Sequence, residues 1–210
     1  MVDVETTGLA SRTRDRVVEI AVVLTDPDGR VQHEWSTLVN PLRDVGPTWV
    51  HGIRARDVAA APTFGAIAED VMAALSGRVL VAHNVGFDFS FLTAELGRAH
   101  VPVRADFPRI CTMRWSDAFV HGASRKLVHC CEAAGIEIVD AHSALGDARA
   151  TADLLGFYLR RSGGRVPWEP VVAQCDAYPW LVPPADDGAV PVLARPRRAA
   201  RMSGVLGAAV

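Results

Sequence analysis

The chain has no run approaching the roughly 18 uninterrupted apolar residues that a membrane-spanning helix requires, and its first residues form neither a basic leader nor an apolar signal core. The expected location is therefore the cytoplasm, with no membrane partner. Cysteine is scarce: Cys130 and Cys131 are adjacent, Cys111 and Cys175 are isolated, and there is no C-x-x-C pair. That excludes the usual zinc and dithiol redox motifs and predicts reduced, buried thiols. Net charge is also small, −2 at neutral pH. A chain so close to neutrality exerts no global attraction on phosphate, so any polyanion must be held by local features or bound cations.

Half of the 210 residues are apolar and 22% are charged, the balance of a globular protein. The length suits one domain with a substantial core plus a short appendage.

Val17 to Thr25 (VVEIAVVLT) is apolar and β-branched and predicts a buried strand. Asp26-Pro27-Asp28-Gly29 predicts a turn, and Arg30 to Val39 an antiparallel return. Phe64, Ile67, Ala68, Val71, Met72 and Leu75 recur at helical spacing, with Gly77 as a stop. Arg78 to Ala82 predicts a short buried strand, and Phe87 to Arg98 a helix with Asp88 at its start. Short helices are expected over Cys111 to Val120 and over Ser124 to Ala134, the latter capped by Ser124 and ended by Gly135. Ser143 to Arg161, rich in alanine and leucine, predicts the longest helix. Together these elements predict an α/β class with a mixed sheet.

After Arg161 the composition shifts. Gly163-Gly164 opens a stretch with seven of the thirteen prolines and the arginines Arg195, Arg197, Arg198 and Arg201. A boundary near residue 162 is expected, giving a domain over 1–162 and a flexible tail over 163–210, because proline withdraws backbone donors and little apolar periodicity remains.

Three short motifs carry chemistry. Asp3 and Glu5 are two apart, so on a strand both carboxylates project from one face. Like charges that close repel unless a hard cation lies between them, although a pair of solvated acids is the plain alternative. Thr6-Thr7-Gly8-Leu9 follows, a turn whose glycine permits close backbone approach to a ligand. His83-Asn84-Val85-Gly86-Phe87-Asp88 lies between a strand and a helix, where a carboxylate can reach a cleft and an aromatic ring can meet a base; a helix-capping Asp88 with a core Phe87 is the competing account. In His142-Ser143-Ala144-Leu145-Gly146-Asp147, the histidine and the acid converge only if His142 precedes the helix and Ser143 caps it. His83 is expected to be structural, and His129 beside Cys130 and Cys131 to pack in a core.

Taken together, D-x-E-T-T-G-L, H-N-x-x-F-D and H-x-A-L-x-D resemble the histidine subclass of the DEDD exonuclease superfamily, which holds the proofreading epsilon subunit of bacterial DNA polymerase III and its free-standing relatives. Leu38-Val39-Asn40-Pro41, His51-Gly52-Ile53 and Cys111-Thr112 support the resemblance, which covers residues 1 to about 161. It implies a ribonuclease H-like fold: a five-stranded mixed sheet flanked by helices, with the first strand central. Only two residues precede Asp3, whereas strands typically have about five or six, so the natural start is expected to lie upstream.

The resemblance further implies a metal-dependent 3′→5′ exonuclease that releases nucleoside 5′-monophosphates from DNA ends. Asp3, Glu5, Asp88 and Asp147 would hold two divalent ions, Mg²⁺ or Mn²⁺, and His142 would be the general base. Thr6, Thr7, Gly8, Leu9, His51, Asn84 and Phe87 would bind the terminal nucleotides. The nearest alternatives are an RNA-trimming relative and a non-catalytic interaction module. A polymerase or sliding clamp is a candidate partner of the tail, where Gln174 to Trp180 faintly resembles a clamp-binding peptide and Trp168 and Trp180 offer docking rings.

Overall fold

The computed structural model describes residues 1–122 and 124–181. In chain order the elements are β1 (Val2–Thr6), β2 (Val17–Thr25), β3 (Val31–Leu38), α1 (Thr48–His51), α2 (Ala55–Val58), α3 (Phe64–Leu75) and β4 (Leu80–Ala82). There follow α4 (Val85–Arg98), β5 (Arg109–Cys111), α5 (Thr112–Phe119), α6 (Leu127–Ala133), α7 (Ala144–Arg161) and α8 (Glu169–Ala177). Among the described residues, no helix is long and apolar enough to cross a membrane.

The β2–β3 hairpin forms as its composition predicts. Gly29 adopts a φ of 84°, and the Asp26 carboxylate accepts the Arg30 amide at 2.8 Å, closing the turn. β1 pairs antiparallel with β2, placing Asp3 opposite Ala21 and Glu5 opposite Glu19. Directly opposed residues of an antiparallel pair share a face, so Asp3, Glu5 and Glu19 all emerge on the same side.

The five strands form two ladders, β1-β2-β3 antiparallel and β4-β5 parallel, where one continuous five-stranded sheet was expected. β1 and β4 lie side by side, but β4 is only three residues long and the Val4 amide on the free edge of β1 donates to Asp88 Oδ1 at 3.2 Å. A side chain from the start of α4 thus takes an edge donor that a neighbouring strand would use.

Helices cover both faces. Val2, Val4, Ile20 and Val22 pack with Phe64, Val71, Phe91 and Leu92 of α3 and α4, and on the other face Ala21, Val23 and Val81 pack with Ala148, Leu154 and Tyr158 of α7. The alternation along β1 and β2 therefore feeds two cores, which is why β2 is almost continuously apolar.

Several boundaries differ from expectation. α4 starts at Val85, which puts Asp88 inside its first turn. Cys111 ends β5, and α5 begins at Thr112. α6 begins at Leu127 with Lys126 as its N-cap, so Ser124 does not cap it. Gly135 does adopt the left-handed φ of 70° expected of a helix terminator.

Within residues 163–181 a few side chains pack on the body: Trp168 is 3% exposed and lies against Phe119 and Trp115, while Tyr178 and Trp180 cluster around Phe107. Gln174 donates to the Asp106 carbonyl at 2.7 Å and the Trp180 indole to that of Cys175 at 3.2 Å. Of the residues that suggested a clamp-binding peptide and docking rings, Trp168, Cys175 and Tyr178 are buried, while Gln174, Asp176, Ala177 and Pro179 are exposed. Arg195, Arg197, Arg198 and Arg201 lie outside the described residues.

Candidate active site

β1 presents Asp3 and Glu5 on the α7 side of the sheet, and α7 returns Asp147 to them. One carboxylate oxygen from each of Asp3, Glu5 and Asp147 lies within 4.8 Å of the others. Asp88 reaches the group round the edge of β1, oriented by the Val4 amide. Residues far apart in the chain, on β1, α4 and α7, are thus collected at one point.

The first turn of α7 is built to hold this position. Ser143 caps the helix, its hydroxyl accepting the Gly146 amide at 3.1 Å and donating to the Asp140 carbonyl at 2.7 Å. The preceding loop lies so close that a β-carbon on Gly146 would meet the Asp140 oxygen at 2.3 Å. Asp140 and His142 adopt left-handed φ values of 58° and 65°, a conformation that L-residues other than glycine rarely take. The loop turns sharply enough to leave His142 exposed beside Asp147.

A fifth acid, Glu19, was not identified from the sequence. It stands opposite Glu5, and its Oε2 accepts the Ala144 amide, at the first residue of α7, at 3.1 Å. A carboxylate is favoured at a helix N-terminus, so Glu19 ties the helix carrying Asp147 to the strand facing Glu5.

Concentrating acids raises the cost of ionising them. Asp3 is held well above the ordinary carboxylate range, first by burial and then by the charges of Asp88, Asp147, Glu5 and Glu19. Burial pushes Asp88 up to about 7, against the stabilising effect of its own amide and that of Val4. Burial also raises Asp147, opposed by the charge and main-chain amide of His142. Oxygen donors that converge yet resist carrying their negative charges together fit a hard divalent cation, which would reverse the penalty.

Residues 1–155 match the family model described as exonuclease, that of RNase T. The chain belongs to this exonuclease family. It is 38% identical over 158 residues to a DNA polymerase III subunit epsilon-like protein of Rhodobacter capsulatus, covering 72% of this chain and 22% of that one. It is 32% identical to the DNA polymerase III subunit epsilon of Treponema pallidum, covering 72% of each. Among solved structures, exonuclease X in complex with 5′-overhanging duplex DNA superposes with a TM-score of 0.60 at 27% identity, over 83% of this chain and 96% of that one. The chain spans between 11% and 27% of the length of the first three curated relatives it matches. Exonucleases of this DEDD type use divalent metal ions.

The residues expected to bind nucleotides separate into two sets. Leu9 is 85% exposed, Asn84 is exposed at a left-handed φ of 80° as the N-cap of α4, and Gly8 and Phe87 are half-buried. Phe87 packs against Phe91 with ring centroids 5.0 Å apart. Thr6 and Thr7 are buried, with the Thr6 hydroxyl donating to the Gly8 carbonyl at 2.7 Å and that of Thr7 to Asp15 at 3.1 Å. They shape the turn from within. His51 is 2% exposed and its Nδ1 accepts the Ile53 amide at 3.0 Å, which leaves it no surface for a nucleotide; it braces the corner between α1 and α2. His83 bridges the Thr112 hydroxyl at 2.9 Å and the Arg125 carbonyl at 2.8 Å, a structural role. Cys130 and Cys131 are buried free thiols, and burial pushes Cys131 up to about 12.

Asp15 was also missed. Its carboxylate accepts the Ala10 amide at 2.9 Å, and a β-carbon on Gly8 would meet that carboxylate at 2.4 Å. Burial works against its charge, but the Ala10 amide, the Thr7 hydroxyl and Arg43 hold Asp15 below the ordinary range. This buried acid closes the loop that displays Leu9.

Proposed function

We propose that the protein is a metal-dependent 3′→5′ exonuclease that hydrolyses the terminal phosphodiester of a frayed or single-stranded DNA end and releases a nucleoside 5′-monophosphate. The observation that carries this reading is the convergence of Asp3, Glu5 and Asp147, with Asp88 alongside, at a point where burial and mutual repulsion disfavour their charges. Asp3, Glu5, Asp88 and Asp147 would hold two divalent ions, Mg²⁺ or Mn²⁺, which when bound would lower the pKa of a coordinated water and neutralise charge on the leaving 3′-oxygen. His142, exposed beside Asp147, accepts the proton of the attacking water; a histidine suits that exchange near neutral pH. Leu9 meets the terminal bases and Asn84 lines the same cleft, while Thr6, Thr7 and Asp15 hold the turn that presents them.

The test is a 5′-labelled single-stranded DNA oligomer, with a matched RNA oligomer, incubated with Mn²⁺ or EDTA. The expected result is a ladder shortening from the 3′ end of the DNA in Mn²⁺ alone. Preferential shortening of the RNA would reassign the substrate to RNA ends. No cleavage of either oligomer under any divalent ion would leave the fold as a non-catalytic module.

A further inference from the structure

Outside the acidic cluster, the largest unexplained feature is a group of apolar side chains held in water. Trp49 is 86% exposed, Leu42 71% and Leu9 85%. The other described tryptophans are buried or half-buried, with Trp35 at 5% and Trp168 at 3%. Isolated surface leucines are ordinary, but a tryptophan left so open beside further apolar side chains marks a contact surface.

These side chains sit on two segments that touch through their backbones. Gly46 has a φ of 79°, and a β-carbon there would meet the Thr7 carbonyl oxygen at 2.2 Å. Trp49 follows three residues later, within roughly 10 Å of that contact by chain length. Leu9 lies two residues beyond Thr7, and Thr7 two beyond Glu5. The exposed ring therefore stands on the segment whose backbone packs against the turn that follows β1.

The platform is rigid. The Asp44 carboxylate accepts the Gly46 amide at 2.8 Å, Thr48 and Gly52 donate to the Gly46 and Thr48 carbonyls, and Val45, Ile53 and Val58 form a small core with Val18.

Basic groups lie alongside. Thr7, Gly8, Leu9, Ala10, Arg14, Asp15 and Arg43 line an open groove of about 610 Å³. Arg43 is positioned by Asp15 and the Arg14 carbonyl. Leu9 shares this groove with the two guanidinium groups, and Leu42 precedes Arg43 in the chain; apolar faces beside cations suit a nucleic-acid strand, whose bases pack on the former while its phosphates meet the latter.

We infer that Trp49 and Leu42, flanked by Arg14 and Arg43, continue from Leu9 as a platform for the nucleotides of a single strand that lie 5′ of the terminal one. This deepens the exonuclease reading and rests on it. In a protein with a net charge of −2, the arginine-lined groove supplies the local attraction for phosphate that the whole molecule lacks.

The experiment measures anisotropy of a 5′-fluorescein dT12 strand against the full chain, with Ca²⁺ in place of the catalytic ion. Trp49→Ala is expected to raise the dissociation constant by about tenfold, the loss of one base–aromatic stack. Trp49→Phe should restore most of the binding, because the stacking face returns. Arg14→Ala should reduce the slope of log K against log salt by about one. If Trp49→Ala binds dT12 as tightly as the unsubstituted chain, the platform does not exist. Cleavage in Mn²⁺ is read on the same preparations. Nucleotide release without any effect of Trp49 on binding overturns the platform alone, whereas weakened binding without release overturns the exonuclease reading and keeps the platform.

Discussion

At the scale of single residues, the site depends on groups that hold the acids as much as on the acids. Asp88→Asn preserves an oxygen that can accept the Val4 amide while removing a charge that burial disfavours. It should reduce nucleotide release below detection while the metal-free protein melts at or above the unsubstituted midpoint; a near-normal rate would remove Asp88 from the mechanism. Gly146→Ala touches no carboxylate, yet its β-carbon would displace the Asp140 carbonyl and with it the loop bearing His142. Misplacing a reacting group by about 1 Å costs roughly a hundredfold in rate, so turnover should fall by about that factor with circular dichroism unchanged. The motif acids were named because three short motifs together resemble one exonuclease subclass; spacing on a strand or at a helix start left each acid with a plain alternative. Glu19, Asp15 and Gly146 were not, since each acquires its role only from a partner brought close by the fold: Ala144, Ala10 and Asp140 respectively.

At the scale of elements, the loop from Thr7 to Arg16 is fastened to α4 by one buried acid. Glu95, 1% exposed, takes Arg16 in a two-point pair at 2.7 and 2.9 Å and also accepts the Val17 amide at 3.1 Å. Removing one member of such a pair strands the other and an amide besides. Glu95→Ala should therefore lower the unfolding free energy by about 3 kcal/mol in urea titrations, and an unchanged midpoint would show the tie to be dispensable. Periodicity made β2, α3 and α7 readable, because each repeats a face over many residues. β4 and β5 are three residues each, too short to carry a period, and their ladder exists only through pairing with each other. α8 escaped notice for another reason: of its nine residues only Cys175 is buried, and the burial that holds it comes from the flanking Trp168 and Tyr178. Trp168→Ala should cost roughly 3 kcal/mol or more, measurable as a lowered thermal midpoint; a tail that did not contribute to the fold would show no change.

At the scale of the whole molecule, folding gathers acids that would be far apart in the unfolded chain, so stability and metal binding are linked through pH. The folded pKa of Asp88 is raised from 3.8 to about 7, and Asp3 and Asp147 are raised as well. Below about pH 3 these acids are protonated in both states and carry no penalty. As pH rises the unfolded chain ionises first while the folded protein retains its protons, so their contribution to stability is lost progressively until pH passes the folded values. A divalent ion acts in the opposite sense, because it binds the ionised folded site and stabilises it by mass action. In EDTA the thermal midpoint should therefore fall between pH 5 and pH 8 through these groups, and saturating Mg²⁺ should raise it little at pH 5 and by several degrees at pH 8. Asp88→Asn should flatten both responses, since it removes one of the anions that the folded state resists and the ion requires. A Mg²⁺ shift equal at both pH values, measured by differential scanning fluorimetry, would mean that the ion binds away from the cluster at Asp3, Glu5, Asp88 and Asp147.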